Sequence, residues 1–475
     1  MGQLRFGGGV ADIYLIYARE DQAQVKKLFE FLSITWSVWW DQMIQQRFAA
    51  EIEDEITRAG CVLVFWSKFS RLKDTVTDEV RLAQKANRPI VCVTLDGSEA
   101  AYGFGGYSNS DLSAWDERPD HSDLRILANR INTIVPVRVK PQRPIALQRR
   151  LPLPTLFLST SSFETRLKPS EAVKALNLAR YPSLLVSAWD LVDRRKPTAL
   201  KSALTEYREN GGFVLVDSGN YESSRLTNKR WKPVDLVGAL SGASYDRIFC
   251  FDDMKPGRNP AKAAASILSA VERDQKATKA EVLPIVHAAK RKNGGHDIDM
   301  LIETVFAVAR ELQPELIGVA ERELGAGLFQ RCRTMMSIRA KLSELPFYQP
   351  IHLLGTGNPW SIAVLTAAGA DTFDGLEWCR VVADIENDRL YHFQHYDFFT
   401  YQTGVADSDV ARSAFVDDKV DFAGKAAFHN IDYYTNFMKD LREAVTDDRL
   451  EAFVAERIGK APIQQLKREV EGLFK

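Results

Sequence analysis

The chain has 475 residues, which is too long for one ordinary hydrophobic core and predicts two or more domains. Its hydrophobic share of 45% and charged share of 26% are typical of a globular protein in water, and a net charge of -1 argues against a nucleic-acid-binding surface that is basic throughout. No apolar run approaches the roughly 20 residues that span a bilayer, and the first residues contain no apolar signal core. We therefore expect a cytoplasmic protein with no membrane partner.

The five cysteines are scattered along the chain, and three of them lie in apolar, strand-like runs. This pattern is typical of buried thiols in a reducing compartment, and the spacing matches no zinc motif. We therefore expect no metal. The residues are Cys61, Cys92, Cys250, Cys332 and Cys379.

Residues 11–135 alternate strand-like and helix-like segments. This alternation predicts a parallel, doubly wound sheet. The predicted elements are a strand over Asp12–Tyr17, a helix over Gln22–Leu32, an aromatic strand over Trp36–Trp40, a helix from Phe48 to Ala59, a strand over Cys61–Trp66, a helix that carries Glu79 and a strand over Pro89–Leu95.

The segment from Cys61 to Val80 contains the candidate catalytic residue of this region. It predicts a buried strand, then a polar loop over Ser67–Thr75, then a helix with Glu79 in its opening turns. Open α/β sheets bind ligands at the carboxyl ends of their strands, so Glu79 is placed as an active-site carboxylate. The alternative is a solvated glutamate that the positive start of the helix stabilises.

Four motifs in this region occur in the order seen in the bacterial TIR (Toll/interleukin-receptor) domain. They are DIYLIYAREDQ, WSVWWDQ, FAAEIEDEITRAGCVLVFWS and TDEV, and the chain resembles that family over residues 11 to about 100. The resemblance implies a flavodoxin-like fold, NAD+ as substrate, cleavage of its nicotinamide–ribose bond by Glu79, and homo-oligomers on activation. The nucleotide cleft that it implies is shaped by Tyr17, Ala18, Arg19, Trp39, Trp40, Asp41, Phe48 and Ser67.

Two positions depart from the pattern of the TIR family. Ile16 stands where that family often has serine, and Thr75 stands where it often has an aromatic residue. Stacking against nicotinamide would then be weaker or would come from Trp66 or Phe69. A TIR domain that acts only as an assembly adaptor is the alternative function.

A segment rich in Gly, Ser and Asp follows this region. Residues 96–123 lack periodicity and predict a loop, while Leu124–Ile134 predicts a closing helix. Prolines and basic clusters then predict a linker over residues 136–153. We expect a second domain over residues 154–450 and a helical tail over residues 451–475.

The second region contains eight apolar, strand-like runs separated by helical segments. Eight runs in this alternation predict a (β/α)8 TIM barrel. The runs are Leu156–Leu158, Leu184–Ala188, Phe213–Asp217, Ile248–Asp252, Val282–His287, Leu316–Ala320, Ile351–Gly355 and Thr372–Leu376.

Polar residues follow or end several of these runs. In a TIM barrel such residues point into the ligand site, so the predicted site contains Asp217, Ser218, Asp252, His287 and Asp374. Three aspartates in one barrel mouth repel each other unless they bind a base edge or share a proton.

Five motifs of the second region resemble the tRNA-guanine transglycosylase (queuine tRNA-ribosyltransferase) family and its relatives that act on DNA. They are GGFVLVDSGNYES, RIFCFDD, LPIVHAA, HLLGTGNPWSIAVLTAAGADTFDGLEWCR and AAFHNIDYYTNFMKDLREAV. The resemblance implies that Asp374 attacks the ribose C1′, that Asp217 handles protons and base binding, and that Asp252 binds the Watson–Crick edge of a guanine-like base. His287 stands where that family has a base-binding glutamine, and the family's zinc-binding cysteine cluster is missing between about Tyr391 and His429.

The sequence therefore predicts a TIR effector joined to a transglycosylase-like barrel. The expected function is that of an NAD+ glycohydrolase in bacterial antiphage immunity, with the barrel as a sensor of nucleic acid or a modified base. Two alternatives stay open at this point. One is an active nucleic-acid transglycosylase with the TIR part as a scaffold, and the other is a pure interaction protein.

Overall fold

A computed structural model describes residues 11–40, 49–107, 109–116, 118, 121–136, 142–147, 150–163, 165–192, 197–225, 231–292 and 294–474. The chain divides into two compact units, one that ends at Gln142 and one that begins at Arg143, with residues 343–348 grouped with the first. This division lies inside the predicted linker.

The first unit is one parallel sheet covered by helices. Its strand order is β2-β1-β3-β4-β5, which is the flavodoxin-like order and confirms the predicted doubly wound sheet. The elements are β1 (Ile13–Ile16), α1 (Gln22–Leu32), β2 (Val38–Trp39), α2 (Ala49–Arg58), β3 (Cys61–Trp66), α3 (Asp74–Lys85), β4 (Ile90–Thr94), β5 (Asn109–Asp111) and α4 (Ser122–Ile134).

Two details of the first unit differ from the sequence prediction. The segment 96–123 was predicted to be a loop, but its residues Asn109–Asp111 form β5 and pair with β4. The polar sequence Asn-Ser-Asp lacks the β-branched and aromatic residues of most strands, so pairing with the sheet edge outweighs local propensity here. The predicted polar loop after β3 is also shorter, because α3 begins at Asp74.

Alternate residues of the central strands enter opposite faces of the sheet, as strand geometry requires. Ile13 and Leu15 pack in one apolar cluster with α1 and α4. Tyr14 and Ile16 pack in a second cluster with α2 and α3. The central strands are therefore buried on both faces, which is why they appear in the sequence as continuous apolar runs.

The second unit is a nearly closed parallel barrel, in agreement with the predicted TIM barrel. Its strand order is β12-β11-β10-β9-β8-β16-β15-β14-β13. The fifth predicted run, Val282–His287, forms the two end strands of this order, because Pro284 cannot donate a ladder hydrogen bond and separates them. The barrel strands are β8 (Thr155–Thr160), β9 (Ser183–Ser187), β10 (Phe213–Asp217), β11 (Arg247–Phe249), β12 (Glu281–Leu283), β13 (Ile285–Val286), β14 (Ile317–Ala320), β15 (Ile351–Leu354) and β16 (Thr372–Gly375).

Helices follow the barrel strands, and a small antiparallel pair precedes them. The pair is β6 (Ala146–Leu147) and β7 (Leu151–Pro152). The helices are α5 (Pro169–Leu178), α6 (Pro197–Glu209), α7 (Asn220–Arg225), α8 (Pro233–Leu240), α9 (Pro260–Gln275), α10 (Ile298–Leu312), α11 (Leu328–Leu342), α12 (Pro359–Ala367) and α13 (Glu377–Arg380).

The chain ends in an antiparallel strand pair and further helices. The remaining elements are β17 (Val381–Asp384), β18 (Arg389–His392), α14 (Thr400–Gly404), α15 (Asp409–Val416), α16 (Phe422–Thr446), α17 (Leu450–Ile458) and α18 (Lys460–Glu469). Among the helices that the structure describes, none is long and apolar enough to cross a membrane.

Side chains fill the interior of the barrel. Large apolar residues from β8, β10 and β11, among them Phe157, Phe213 and Phe249, pack together with Leu283 and Ile285 beside Pro284. This cluster forms a packed core, so the open space of the barrel lies at its carboxyl end, where the loops after the strands begin.

Candidate active sites

The first candidate site lies at the switch point of the N-terminal sheet. Strand β1 has β2 on one side and β3 on the other, so the segments that leave β1 and β3 diverge there. Tyr17, Ala18 and Arg19 follow β1, and Ser67 follows β3. Ala18 is buried, Tyr17 is half-buried and Arg19 is exposed, so the guanidinium of Arg19 is the most accessible group of the three.

Hydrogen bonds within the protein occupy the hydroxyl of Ser67. Its Oγ donates to Oδ2 of Asp21 at 2.6 Å and accepts from the backbone N–H groups of Phe69 and Ser70, both at 3.1 Å. The side chain is buried. These contacts fix the turn after β3, and the predicted contact of Ser67 with NAD+ stays a prediction.

The predicted tryptophans face opposite sides of the sheet. Trp39 stacks on Tyr14, with ring centroids 4.6 Å apart, in the cluster that contains α3. Trp40 is buried in the other cluster and stacks on Phe29 at 4.9 Å and on Tyr17 at 6.0 Å. The structure therefore brings Trp39, but not Trp40, to the face that α3 covers.

Glu79 lies in the second turn of α3 and is half-buried. The helix buries Val76, Val80 and Ala83 against the sheet, and Glu79 is three residues after the first and four before the last. Residues three and four apart share a helix face, so Glu79 flanks the buried stripe. Two predicted cleft residues, Asp41 and Phe48, lie outside the described residues.

The second candidate site is a cavity of about 350 Å³ at the carboxyl end of the barrel. Four of the five predicted residues line it, namely Asp217, Asp252, His287 and Asp374. The fifth, Ser218, is buried behind them and donates a hydrogen bond from its Oγ to Oδ1 of Asp252 at 2.8 Å. The strand-end aspartates therefore do meet in one mouth.

Three donors hold the carboxylate of Asp374. Its Oδ2 accepts from the hydroxyl of Ser159 at 2.8 Å, and its Oδ1 accepts from the backbone N–H of Gly355 at 2.8 Å and lies 3.2 Å from Nε2 of His352. The other ring nitrogen of His352 lies 2.8 Å from Oγ1 of Thr372. This arrangement fixes the orientation of a carboxylate that faces the cavity.

A buried histidine lies between two carboxylates at the same mouth. Nε2 of His287 is 2.8 Å from Oδ2 of Asp252, and Nδ1 is 2.9 Å from Oε1 of Glu323. Burial alone would lower the pKa of His287, but the hydrogen bonds and charges of the two carboxylates raise it to about 10. Burial likewise opposes ionisation of Asp252, and the hydrogen bond from His287 nevertheless brings its pKa below the ordinary value. The three side chains form a charged triad.

Other carboxyl groups of the cavity bind protons more tightly than usual. The pKa of Asp217 is well above its ordinary value, because of burial first and then the negative charges of Glu222 and Asp252. Burial also raises the pKa of Glu222, to about 7, and raises that of Glu377. A raised pKa favours the neutral form of Asp217, and a neutral carboxyl group at this position reduces the repulsion expected among the aspartates.

Sequence analysis missed several contributors to this mouth. His352 is the polar residue of an otherwise apolar strand, which was an available signal, and Ser159 lies beside Thr160 at the carboxyl end of β8. Glu222 lies in the quoted motif DSGNYES but had no assigned role. Over the described ranges, no group of three or more His, Cys, Asp or Glu side chains is arranged to hold a metal ion.

The fold and these two sites define an α/β protein with a flavodoxin-like sheet and a TIM-type barrel. Residues 13–128 match the family model of the TIR domain. The chain is also similar to tRNA-guanine(15) transglycosylase from Aeropyrum pernix, with 25% identity over 145 residues, which cover 29% of this chain and 28% of that protein. The two resemblances predicted from the sequence are confirmed, and a TIR-type function, either NAD+ hydrolysis or signalling, is supported.

Proposed function

We propose that the chain is an NAD+ glycohydrolase of bacterial antiphage immunity, in which the N-terminal unit cleaves NAD+ and the barrel senses a nucleic acid or a modified base. The position of Glu79 carries the proposal. It flanks the stripe of α3 that packs on β1 and β3, on the face that also contains Trp39. A carboxylate and an aromatic side chain on the same face of the sheet are what the proposed reaction requires.

One carboxylate is sufficient for this reaction. The C1′–N bond breaks, its electron pair stays on nicotinamide, which leaves as a neutral base, and no general acid is needed. The ribose becomes oxocarbenium-like, and the negative charge of Glu79 stabilises it. A water oxygen then forms the new bond to C1′ and releases a proton. Arg19 is exposed beside the carboxyl end of β1, where it would pair with a phosphate.

The experiment is NAD+ loss with the purified full chain, alone and with lysate of phage-infected cells. Glu79→Gln removes the charge and keeps the shape, and we expect it to lower the rate by about 100-fold or more. The matched control is Asp78→Asn, since Asp78 is an exposed neighbour that pairs only with Arg81 among the contacts described. The proposal fails if neither condition consumes NAD+, or if Glu79→Gln is as active as the wild type.

A second candidate function is base exchange on a nucleic acid. It is favoured by the three donors that orient Asp374 toward the cavity. An Oδ of Asp374 would attack C1′ as the C1′–N bond breaks, and the carboxyl group of Asp217, whose pKa is raised, would supply a proton to the departing base. A nitrogen of the incoming base would then form the new bond to C1′, release Asp374 as a carboxylate and pass its proton back to Asp217.

Two measurements test this second candidate. Incubation with tRNA or DNA and labelled guanine is expected to incorporate label, and denaturation is expected to trap an adduct on Asp374. Asp374→Asn is expected to abolish both. Absence of label and adduct with every tRNA and DNA substrate would contradict base exchange and leave the sensor role.

A further inference from the structure

Both carboxylate oxygens of Asp252 are occupied by protein donors. Ser218 donates to Oδ1, and protonated His287 donates to Oδ2. His287 is in turn held by Glu323, whose second oxygen accepts from the backbone N–H of Ala288 at 2.8 Å. Asp252 is therefore committed to a buried charge pair, and a ligand that displaced His287 from it would have to break that pair, which is strongly unfavourable.

A different carboxyl group of the cavity has an oxygen to offer. Oε2 of Glu222 is buried and has no hydrogen-bond partner within the described part of the chain, although the residue lines the cavity and is only 9% exposed. Buried polar atoms in native proteins are nearly always paired. An unpaired acceptor at a cavity wall therefore indicates a ligand N–H as its partner.

The backbone directs Glu222 to this position. The chain leaves β10 at Asp217 and turns sharply through Gly219, whose φ of 77° lies in the left-handed region. Gly219 is so close to Trp189 that a Cβ on it would be 2.7 Å from the backbone nitrogen of Trp189. Helix α7 starts directly after this turn and carries Glu222 in its first turn. The turn thus aims α7 into the barrel mouth.

The surroundings of Glu222 suit a flat, aromatic ligand. Tyr221 also lines the cavity, and the guanidinium groups of Arg322 and Arg225 lie 5.0 and 5.7 Å from its ring centroid. Phe163 lies beside Arg225 on the same wall. A cavity of about 350 Å³ lies within the range of about 300–1,000 Å³ that is typical of small-ligand sites.

We propose that Glu222, and not Asp252, is the specificity-determining acceptor of the barrel, and that it binds the amino edge of a guanine-like nucleobase. This inference rests on the proposed role of the barrel as a base-binding unit. Glu222 faces Ser187, and the acidic side chains around it are Asp190, Asp217 and Asp374. In this acidic setting a donor-rich base edge is favoured over an acceptor-rich one.

The experiment is calorimetric titration of the full chain with guanine and with hypoxanthine, which lacks the 2-amino group. At pH 8, above the Glu222 pKa of about 7, we expect the wild type to bind guanine at least about tenfold more tightly, because a hydrogen bond to a charged group is worth that much. Glu222→Gln is expected to remove the preference. Glu272→Gln, an exposed carboxylate on α9, is the matched control and is expected to keep it.

Each outcome distinguishes the two proposals. If guanine binds and Glu222→Gln keeps the preference, the inference about Glu222 is wrong while base binding by the barrel stands. If neither base binds to the wild type, both the inference and the base-sensing role are wrong. Thermal unfolding of each variant, compared with the wild type, separates loss of the acceptor from loss of the fold.

Discussion

Nε2 of His287 lies 2.8 Å from Oδ2 of Asp252, and both side chains are buried at the carboxyl end of the barrel. The imidazole is held from its other side by Glu323. His287 is therefore an imidazolium held between two carboxylates. A neutral side chain at this position would leave Asp252 available to bind a base. This pair affects both the stability of the barrel and the ligand that it accepts.

The first prediction concerns stability against pH. The folded state raises the pKa of His287 from 6.5 to about 10, so its stabilising contribution is complete below about pH 6.5 and is lost as the pH rises through about 10. The loss is on the order of 5 kcal/mol, since one pKa unit corresponds to about 1.4 kcal/mol. Urea unfolding of the wild type and of His287→Gln across this range measures it. Parallel pH profiles of the two proteins would contradict the prediction.

The second prediction concerns recovery of base binding. In Glu222→Gln the proposed acceptor is gone, and a further change, His287→Gln, frees Oδ2 of Asp252. We expect the double variant to regain a preference for guanine over hypoxanthine that the single Glu222→Gln variant lacks. Calorimetric titration measures both. A double variant that stays without preference would indicate that Asp252 cannot reach the base.

The third prediction separates the two adjacent tryptophans. Trp40 lies in the core between Phe29 and Tyr17, so Trp40→Ala is expected to lower the free energy of unfolding by about 3–5 kcal/mol. Trp40→Phe keeps most of this packing and is expected to keep NAD+ hydrolysis. Trp39→Ala is expected to lower hydrolysis with a smaller loss of stability, because Trp39 is only half-buried. Equal loss of activity in Trp40→Phe and Trp39→Ala would contradict this assignment.

The buried strands were predictable because each is a continuous apolar run. Cys61–Trp66 and Phe213–Asp217 have the same bounds in sequence and structure, as does α1. Strand β5 could not be found in this way. Asn109 and Asp111 are exposed and only Ser110 is buried, so pairing with β4 determines that strand and the local sequence does not.

The site residues show the same limit. Residues at strand ends, such as Asp217 and Asp374, were predictable because the barrel geometry directs them inward. The partners that set their chemistry come from elsewhere along the chain. Ser159 is 215 residues from Asp374, and Glu323 is 36 residues from His287, so only the folded chain brings them into contact.

The last prediction concerns two glycines beside the cavity. A Cβ on Gly357 would lie 1.8 Å from Oε2 of Glu377, whereas a Cβ on Gly375 would lie 2.5 Å from the Cα of Gly357 as well as 2.5 Å from that oxygen. Gly357→Ala and Gly375→Ala are each expected to destabilise the barrel by about 1–3 kcal/mol. Glu377→Ala is expected to restore stability to Gly357→Ala but not to Gly375→Ala, because only the clash at Gly375 involves backbone atoms.

Urea unfolding of the single and double variants measures this difference. Gly238→Ala on α8 is the control, since nothing lies within 4 Å of its added Cβ, and it is expected to be neutral or to stabilise the helix by about 0.5–1 kcal/mol. If Glu377→Ala restored stability to both glycine variants, the backbone around Gly375 would have to move easily. The carboxylate of Glu377 would then be the sole steric constraint, and the close approach of Gly357 and Gly375 would not fix the shape of the cavity wall.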